Sequence, residues 1–429
     1  MKSSIFFIVL IVLFVISLPV AFALGITSTM IMAVGRGGVR FGQIIQQMIG
    51  GVNTFTLLAV PLFLLAGKLM NASGTTDRLF EFARITVGWL PGGLGHVNIG
   101  ASVIFAGMSG TAVADASGLG VIEIKAMKDA GYDTGFACGV TAASSTMGPI
   151  IPPSLPLVIY GTMSGASVGA LFIAGVIPGL VMALIMMTVV LIYALMRNYP
   201  RELFPTPKKV AVGFVRAFLP LMTPVIILLG IYTGVFTPTE AAAIVVFYSI
   251  VLGACIYRTL NLRKLWDILV ETVYDAACIG LIVAAATLFG NVIIRALIPQ
   301  QILTFVTASI TSPVMLLIVI NLFLLVVGMF LETTSAITIL MPLLLPLINA
   351  AGINLVHFGI IIVLNLMIGV LTPPFGIVLF VISKIGNLSV VDLTKALLPW
   401  LAALLFALGL ITFIPEISLF LPRLAGLIR

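Results

Sequence analysis

Gly148-Pro149-Ile150-Ile151-Pro152-Pro153 sits in the middle of an apolar run, residues 136–160, that is long enough to cross a membrane. Each proline lacks an amide proton and disfavours helix at the residue before it, so the backbone should unwind here. A second such break stands 221 positions later, Gly369-Val370-Leu371-Thr372-Pro373-Pro374, inside the apolar run 358–382. Backbone that leaves a helix within hydrocarbon carries unpaired N–H and C=O groups, tolerable only where they line a protein cavity or bind something. The matched breaks therefore point to a membrane protein of two similar halves that meet around a polar site.

The composition around the breaks agrees. Of 429 residues, 61% are hydrophobic and 8% charged, against about 25% charged in soluble domains, which excludes a water-soluble globule. Runs such as 5–14 and 314–330 are apolar on every face, whereas barrel strands alternate. The fold class is an all-α polytopic membrane protein. A net charge of +7 belongs in cytoplasmic loops of such a chain, and no nucleic-acid partner is expected. Cys138, Cys255 and Cys278 lie in apolar segments without ligand spacing, and only His96 and His357 could join them. Neither a disulfide framework nor a zinc site is expected. Met1-Lys2 and the apolar stretch after it imitate a signal peptide, but a further hydrophobic segment follows Ala23, so a retained first span is expected.

Sliding the sequence on itself by 221 positions places Gly107-Met108 on Gly328-Met329, Ala130-Gly131 on Ala351-Gly352, Gly148 on Gly369 and Pro152-Pro153 on Pro373-Pro374. This reads as a duplicated unit, residues 1–196 and 217–429, joined by the polar linker 197–216. Each copy should hold a helical pair (3–18 with 20–35; 217–258, turning at Thr237-Pro238-Thr239-Glu240), a third span (53–70; 276–297) and an amphipathic stretch (77–89; 300–310). A hairpin broken at its centre by small residues follows (103–125; 324–347). The interrupted span comes next, and a last span closes the copy (171–196; 397–417).

If the central hairpins enter and leave on one side, each copy crosses the membrane an odd number of times and the copies have opposite orientation. Charge supports this. With the linker cytoplasmic, 15 Lys and Arg fall inside, Lys68, Arg78, Arg84, Lys125, Lys128, Arg258, Arg263, Lys264, Lys384 and Lys395 joining the five of the linker. Lys2, Arg36, Arg40, Arg295, Arg423 and Arg429 remain outside, which satisfies the positive-inside rule and makes both termini periplasmic.

Inverted repeats with paired discontinuous helices are the signature of secondary transporters, whose solute and ion sites lie near the midplane. Exposed carbonyls at the breaks suit a hard cation such as Na⁺, and half-helix N-termini suit an anion. The hairpin tips add polar atoms: Ser109-Gly110-Thr111 with Asp115, and Glu332-Thr333-Thr334-Ser335. A carboxylate in a membrane segment is costly unless it faces a cavity or a partner, so Asp115 and Glu332 are functional candidates, with a backbone hydrogen bond near the tip as the plainer alternative. Ser144-Ser145-Thr146 before the first break argues for ligation. Asp77, Arg78, Glu81 and Arg84 on the amphipathic stretch, and Arg263, Lys264, Asp267, Glu271 and Asp275 at a span entrance, read as solvated or snorkelling groups. His357 reads as interfacial, and Arg295 as an anchor. No Gly-x-x-x-x-Gly-Lys loop is present, so energy must come from an ion gradient or a partner. An intramembrane enzyme finds no support: His-Glu-x-x-His and Asp-rich metal motifs are missing.

At these motifs the chain resembles a known family. Gly107-Met108-Ser109-Gly110-Thr111-Ala112-Val113-Ala114-Asp115, Gly148 to Ser154, Thr237-Pro238-Thr239-Glu240-Ala241-Ala242, Gly328-Met329-Phe330-Leu331-Glu332 and Thr372-Pro373-Pro374 are similar to the large membrane subunit of tripartite ATP-independent periplasmic (TRAP) transporters. The resemblance covers essentially the whole chain. It implies an elevator-type importer of the bacterial inner membrane, driven by two or more Na⁺. A small four-helix membrane subunit and a periplasmic binding protein would assist, and the solute would be an organic acid such as a C4-dicarboxylate or sialic acid. On that footing Gly107, Ser109, Gly148 and Ile151 form one Na⁺ site and Gly328, Gly369, Thr372 and Phe375 the other, mostly through backbone carbonyls. Ser109, Thr111, Asp115, Ser145, Ser154, Glu332 and Thr334 are the solute-site candidates. Two departures, Ser-Gly-Thr for the commoner Ser-Gly-Ser and Glu332 for the usual Asp, keep the chemistry and alter the side-chain size around the cavity. A standalone anion/Na⁺ symporter of the same architecture is the alternative, distinguished by uptake without a binding protein.

Overall fold

The computed structural model describes residues 4–16, 18–34, 41–309 and 312–428. Lys2, Arg36, Arg40 and Arg429, which enter the charge argument, lie outside them, and of Ser109 only the backbone is described. Among the described residues the chain is helical, without strands. The first half runs α1 (Ser4–Val15), α2 (Val20–Val34), α3 (Phe41–Val52), a 3₁₀ turn (Phe55–Leu58), α4 (Ala59–Ala72) and the arm α5 (Thr75–Val87). The first hairpin is α6 (Gly93–Ser109) with α7 (Ala112–Ser117) and α8 (Leu119–Asp129); α9 (Thr134–Ser145) and α10 (Leu155–Ser164) flank the break, and α11 (Val168–Arg197) closes the half.

The second half opens with α12 (Pro207–Tyr232), α13 (Pro238–Ile250) prolonged by a π-helical Val251–Ile256, α14 (Leu262–Arg295) and the arm α15 (Ile298–Ser309). Its hairpin is α16 (Pro313–Gly328) with α17 (Thr333–Ala350), its broken span α18 (Leu355–Gly369) with α19 (Ile377–Gly386), and α20 (Val390–Phe413) and α21 (Glu416–Leu424) end the chain. Shifted by 221, Ala112 falls on the first residue of α17, Asp129 on its last, and Thr134 on the first residue of α18. Seven helical runs among the described residues are long and apolar enough to cross a membrane. The arms α6 and α16 are among the shorter apolar helices; at about 1.5 Å per residue they fall short of a hydrocarbon core of about 30 Å, as re-entrant elements do.

Two sequence expectations change. The third span of the second half begins at Leu262 rather than near Ala276, because no Gly or Pro interrupts residues 262–279 and Asn261 caps the helix, accepting from Lys264 N at 2.8 Å. Its counterpart holds Gly50, Gly51 and an extended Thr54 and so divides into α3 and α4. Glu271 and Asp275 keep the exposure expected of solvated groups, 68% and 44%, while Lys68 Nζ of α4 reaches them at 3.3 and 2.7 Å. On the arm, Arg84 pairs with Glu202 and Arg78 lies 3.6 Å over the Tyr257 ring. His357, expected at the interface, is buried, with Nδ1 2.7 Å from Ser418 Oγ and Nε2 3.3 Å from the Thr412 carbonyl. It is a satisfied core histidine.

The halves interlock. α2 and α3 pack on α14 of the other copy, and α13 packs on α4, which forms one body; α12 lies along the arm α5. In the second body, α10 packs on α17 and α19 on α7, so each half-helix beyond a break lies against the hairpin of the other copy. An aromatic cluster joins the closing helices: the Phe136 ring of α9 is 5.7 Å from Trp400 of α20, Tyr193 of α11 stacks on Trp400 at 6.3 Å, and Tyr132 and Tyr199 complete it. Trp400 is 1% exposed, whereas Trp266 is 66% exposed. Trp400→Ala should cost about 3–5 kcal/mol of stability, measured as a large fall in Tm in detergent, with Trp266→Ala changing little.

Candidate functional site

Each hairpin tip rests on the break of its own copy. In the first, the chain reverses at Gly110, which has φ +62; a Cβ there would lie 2.7 Å from the Pro153 carbonyl, so only glycine allows both the turn and the approach. Leu155 N donates to the Gly110 carbonyl at 3.5 Å. Thr111 is extended and its hydroxyl accepts from Ala114 N at 3.3 Å, capping α7. In the second, a Cβ on Gly369 would stand 2.4 Å from Gly328 Cα, and Phe375 N donates to the Met329 carbonyl at 3.3 Å. Both breaks contain a cis Pro–Pro bond, Pro152-Pro153 and Pro373-Pro374.

The breaks are less extended than the prolines alone suggest. Gly148 N bonds Ser145 O at 3.2 Å, Ile151 N bonds Met147 O at 2.9 Å, and Thr372 N bonds Gly369 O at 2.8 Å. These are single turns, which leave the flanking half-helices out of register. The predicted cation residues gather accordingly. A Cβ on Gly107 would lie 3.8 Å from the Pro152 carbonyl and one on Gly148 would lie 3.3 Å from the Thr111 carbonyl. The side chain of Ile151 packs away, against Gly179. Gly328 touches Gly369, Thr372 Oγ1 donates to Ile368 O at 2.9 Å, and the exposed Phe375 ring packs on Phe330, so Phe375 meets the tip through its backbone. A carbonyl that accepts one hydrogen bond keeps a second lone pair. The oxygens at these positions are carbonyls and one hydroxyl, all hard donors.

Between the two tips lies a cavity of about 60 Å³, walled by Thr111, Pro149 and Leu155 from one copy and Glu332, Thr333 and Thr334 from the other. Ligand pockets run to roughly 300 Å³ and above, so the cavity between the tips is small as it stands. Thr111, Glu332 and Thr334 are on this wall. Asp115, Ser145 and Ser154 are not: Ser145 Oγ donates to Ala142 O at 2.8 Å, Ser154 caps α10, accepting from Leu157 N at 3.2 Å and donating to Pro149 O, and Asp115 lies behind the tip, 2% exposed. One wall residue escaped the sequence reading of the site. Thr333 is fully buried and its Oγ1 has no hydrogen-bond partner, a deficit of about 1–3 kcal/mol that an ion or solute oxygen would relieve.

Glu332 also does the structural work that sequence set second. It is the N-cap of α17: Oε2 accepts from Thr334 N at 2.9 Å, from Ser335 N at 3.1 Å and from the Thr334 hydroxyl. A carboxylate is favoured there by the positive end of the helix. Thr111, which stands 221 positions earlier, caps α7 in the same way.

Comparison with known proteins is consistent over the whole chain. Residues 7–417 match the family described as tripartite ATP-independent periplasmic transporter, DctM component, and the chain belongs to that family. The sialic acid TRAP transporter large permease protein SiaM of Vibrio cholerae is 45% identical over 95% of both chains. The sialic acid TRAP transporter permease protein SiaT of Haemophilus influenzae is 40% identical, covering 97% of this chain and 67% of its own. The YdaH transporter of Alcanivorax borkumensis, described as having an unusual topology, shares the fold with a TM-score of 0.69 at 12% identity, over 94% of this chain and 98% of its own.

Replacing Glu332 separates cap from charge. Glu332→Gln keeps an oxygen that accepts from Thr334 N, so its Tm in detergent should stay within a few degrees of wild type while transport falls tenfold or more. Glu332→Asp should retain part of the rate. Normal transport by the Gln variant would leave the carboxylate only its capping role.

Proposed function

We propose that this chain is the solute-translocating subunit of a Na⁺-coupled importer of the bacterial inner membrane, taking up a carboxylate-bearing solute of the sialic-acid type. A periplasmic binding protein delivers the solute, and a small four-helix membrane subunit completes the membrane part. The observation that carries this reading is the paired arrangement of tip, break and shared cavity, since a soluble-domain function or a simple pore needs neither break. The relatives named as sialic acid permeases support the solute class, ahead of the C4-dicarboxylates.

Mechanistically, the residues act in pairs. Na⁺ supplies the driving force; carbonyls around Gly107, Ser109, Gly148 and Ile151, and around Gly328, Gly369 and Thr372, would hold one ion each. Each ion would then tie a tip to its break and add positive charge beside the cavity. The solute carboxylate would meet hydroxyls of Thr111, Thr333 and Thr334, while Glu332 would receive a solute hydroxyl or ammonium group. The two copies lie inverted in the membrane, with linker 197–216 in the cytoplasm and both termini periplasmic, the arrangement that best meets the positive-inside rule. Large apolar side chains exposed on α1 and α2, such as Ile8, Ile11, Phe22 and Ile26, suit lipid and the small subunit alike.

Two measurements test the reading. Reconstituted with the small subunit and the binding protein, the chain should accumulate sialic acid only under an inward Na⁺ gradient, and the chain alone should not. Full uptake by the chain alone would establish the standalone symporter instead. Thr372→Ala should raise the Na⁺ concentration for half-maximal uptake several-fold with expression intact; unchanged Na⁺ dependence removes Thr372 from the site.

A further inference from the structure

Behind the first tip, apart from the cavity between the tips, buried polar side chains converge from four helices. Asn98 and Ser102 come from α6, Asp115 from α7, Glu123 from α8, and Thr141 and Ser144 from α9, none more than 2% exposed. Asn98 Nδ2 donates to Glu123 Oε2 and to Thr141 Oγ1, both at 2.7 Å; Ser144 Oγ donates to Asn98 Oδ1 at 2.7 Å, and Ser102 Oγ lies 3.1 Å from Ser144 Oγ. Ser102 also bonds the Asp115 carboxylate. Glu123 Oε1 and Asp115 Oδ2 remain, buried and without partners.

No cation balances these carboxylates. Neither takes part in an ion pair among the described residues. The helices packed against α7 and α8, namely α6, α9 and α19, bring His96 and the exposed Lys384. On α8 itself, Lys125 is exposed and Lys128 donates to Gly386 O at 3.4 Å. Two buried, unpaired carboxylates are expensive, and such groups persist where something compensates them.

The second half shows that the fold does not need them. At the positions 221 residues on, Asp115 becomes Ala336, Glu123 becomes Leu344, and Ser144 becomes Asn365. There the hairpin is tied to the broken helix by two neutral amides, Asn365 Nδ2 donating to Asn321 Oδ1 at 2.7 Å. Holding a hairpin to its broken helix thus requires no charge, and the carboxylates of the first half answer another requirement.

We propose that Asp115, Glu123, Asn98, Ser102, Thr141 and Ser144 form a further alkali-cation site, occupied by Na⁺, distinct from the two at the tips. Every group in the set is a hard oxygen donor or, in Asn98, carries one. A proton shared by the two carboxylates is the competing occupant, and the dependence on pH against Na⁺ measured below separates the two. A divalent ion clamped by two buried carboxylates would exchange slowly, whereas this mixed shell suits an ion released in every cycle. The inference rests on the importer reading for its role in coupling, and it is tested by ion binding alone.

The test is equilibrium binding of ²²Na⁺ to the purified full chain in detergent, in choline buffer, with Na⁺-dependent Tm as a second measure. Glu123→Gln should bind one Na⁺ fewer per chain than wild type, and Thr372→Ala should retain the ion held at Glu123. The double variant Asp115→Ala with Glu123→Leu, carrying the residues of the second half, should also lose one ion and be more stable than wild type in choline. Should Glu123→Gln not fold, Glu123→Asp should raise the Na⁺ concentration for half-saturation tenfold or more. Unchanged ion number and half-saturation in these variants would overturn the site, even if Thr372→Ala loses an ion and so upholds the tip sites. Displacement of the ion by micromolar Ca²⁺, or stabilisation that follows pH and not Na⁺, would overturn the alkali ion as occupant.

Discussion

Everything in this fold follows from the rule that backbone polar groups inside hydrocarbon need partners. The chain breaks two helices within apolar runs, and it answers each break with the tip of a re-entrant hairpin. Leu155 N finds the Gly110 carbonyl, and Phe375 N finds that of Met329. Those contacts demand an approach of backbone to backbone, so the tips and breaks carry glycine where they meet, with Gly328 against Gly369 as the tightest case. The carbonyls left over lie beside a small cavity that both copies wall. The close approach of tip and break is thus a requirement of stability met by the same few residues that stand at the cavity's edge.

The parts of the fold that obey this rule were legible in the sequence because proline and glycine announce them. The breaks, the hairpins and the second helix of each hairpin lie close to where their punctuation puts them. What escaped was set by contacts between distant segments. Nothing near His357 reveals that Ser418 will reach its ring, and nothing near Glu271 reveals Lys68. The long α14 escaped for a different reason: its first turns are charged and look like a loop, yet lack any residue that stops a helix. At the site, Thr333 reads in the sequence only as one polar atom of the tip, because its burial without a partner is set by the packing of distant helices, and the same packing buries Glu123.

The two halves share one backbone plan and differ in chemistry. At the helix start after each tip, one uses a hydroxyl, Thr111, and the other a carboxylate, Glu332, for the same capping task. Deeper in, the first half holds Asp115 and Glu123 where the second holds Ala336 and Leu344. Duplication therefore supplies an internal control: a residue type that one half dispenses with is not required by the shared architecture. The comparison separates what the fold demands from what the site adds, residue by residue.

The aromatic cluster around Trp400 bears on how anything in this body can move. Phe136 belongs to the helix leading into the first break, Tyr193 to the last helix of the first half, and Trp400 to α20, the last long helix of the second. Their rings pack directly on one another. The body has, in mechanical terms, no joint between its two halves. A displacement of the helix entering one break is therefore passed through these rings to the last long helix of the other half.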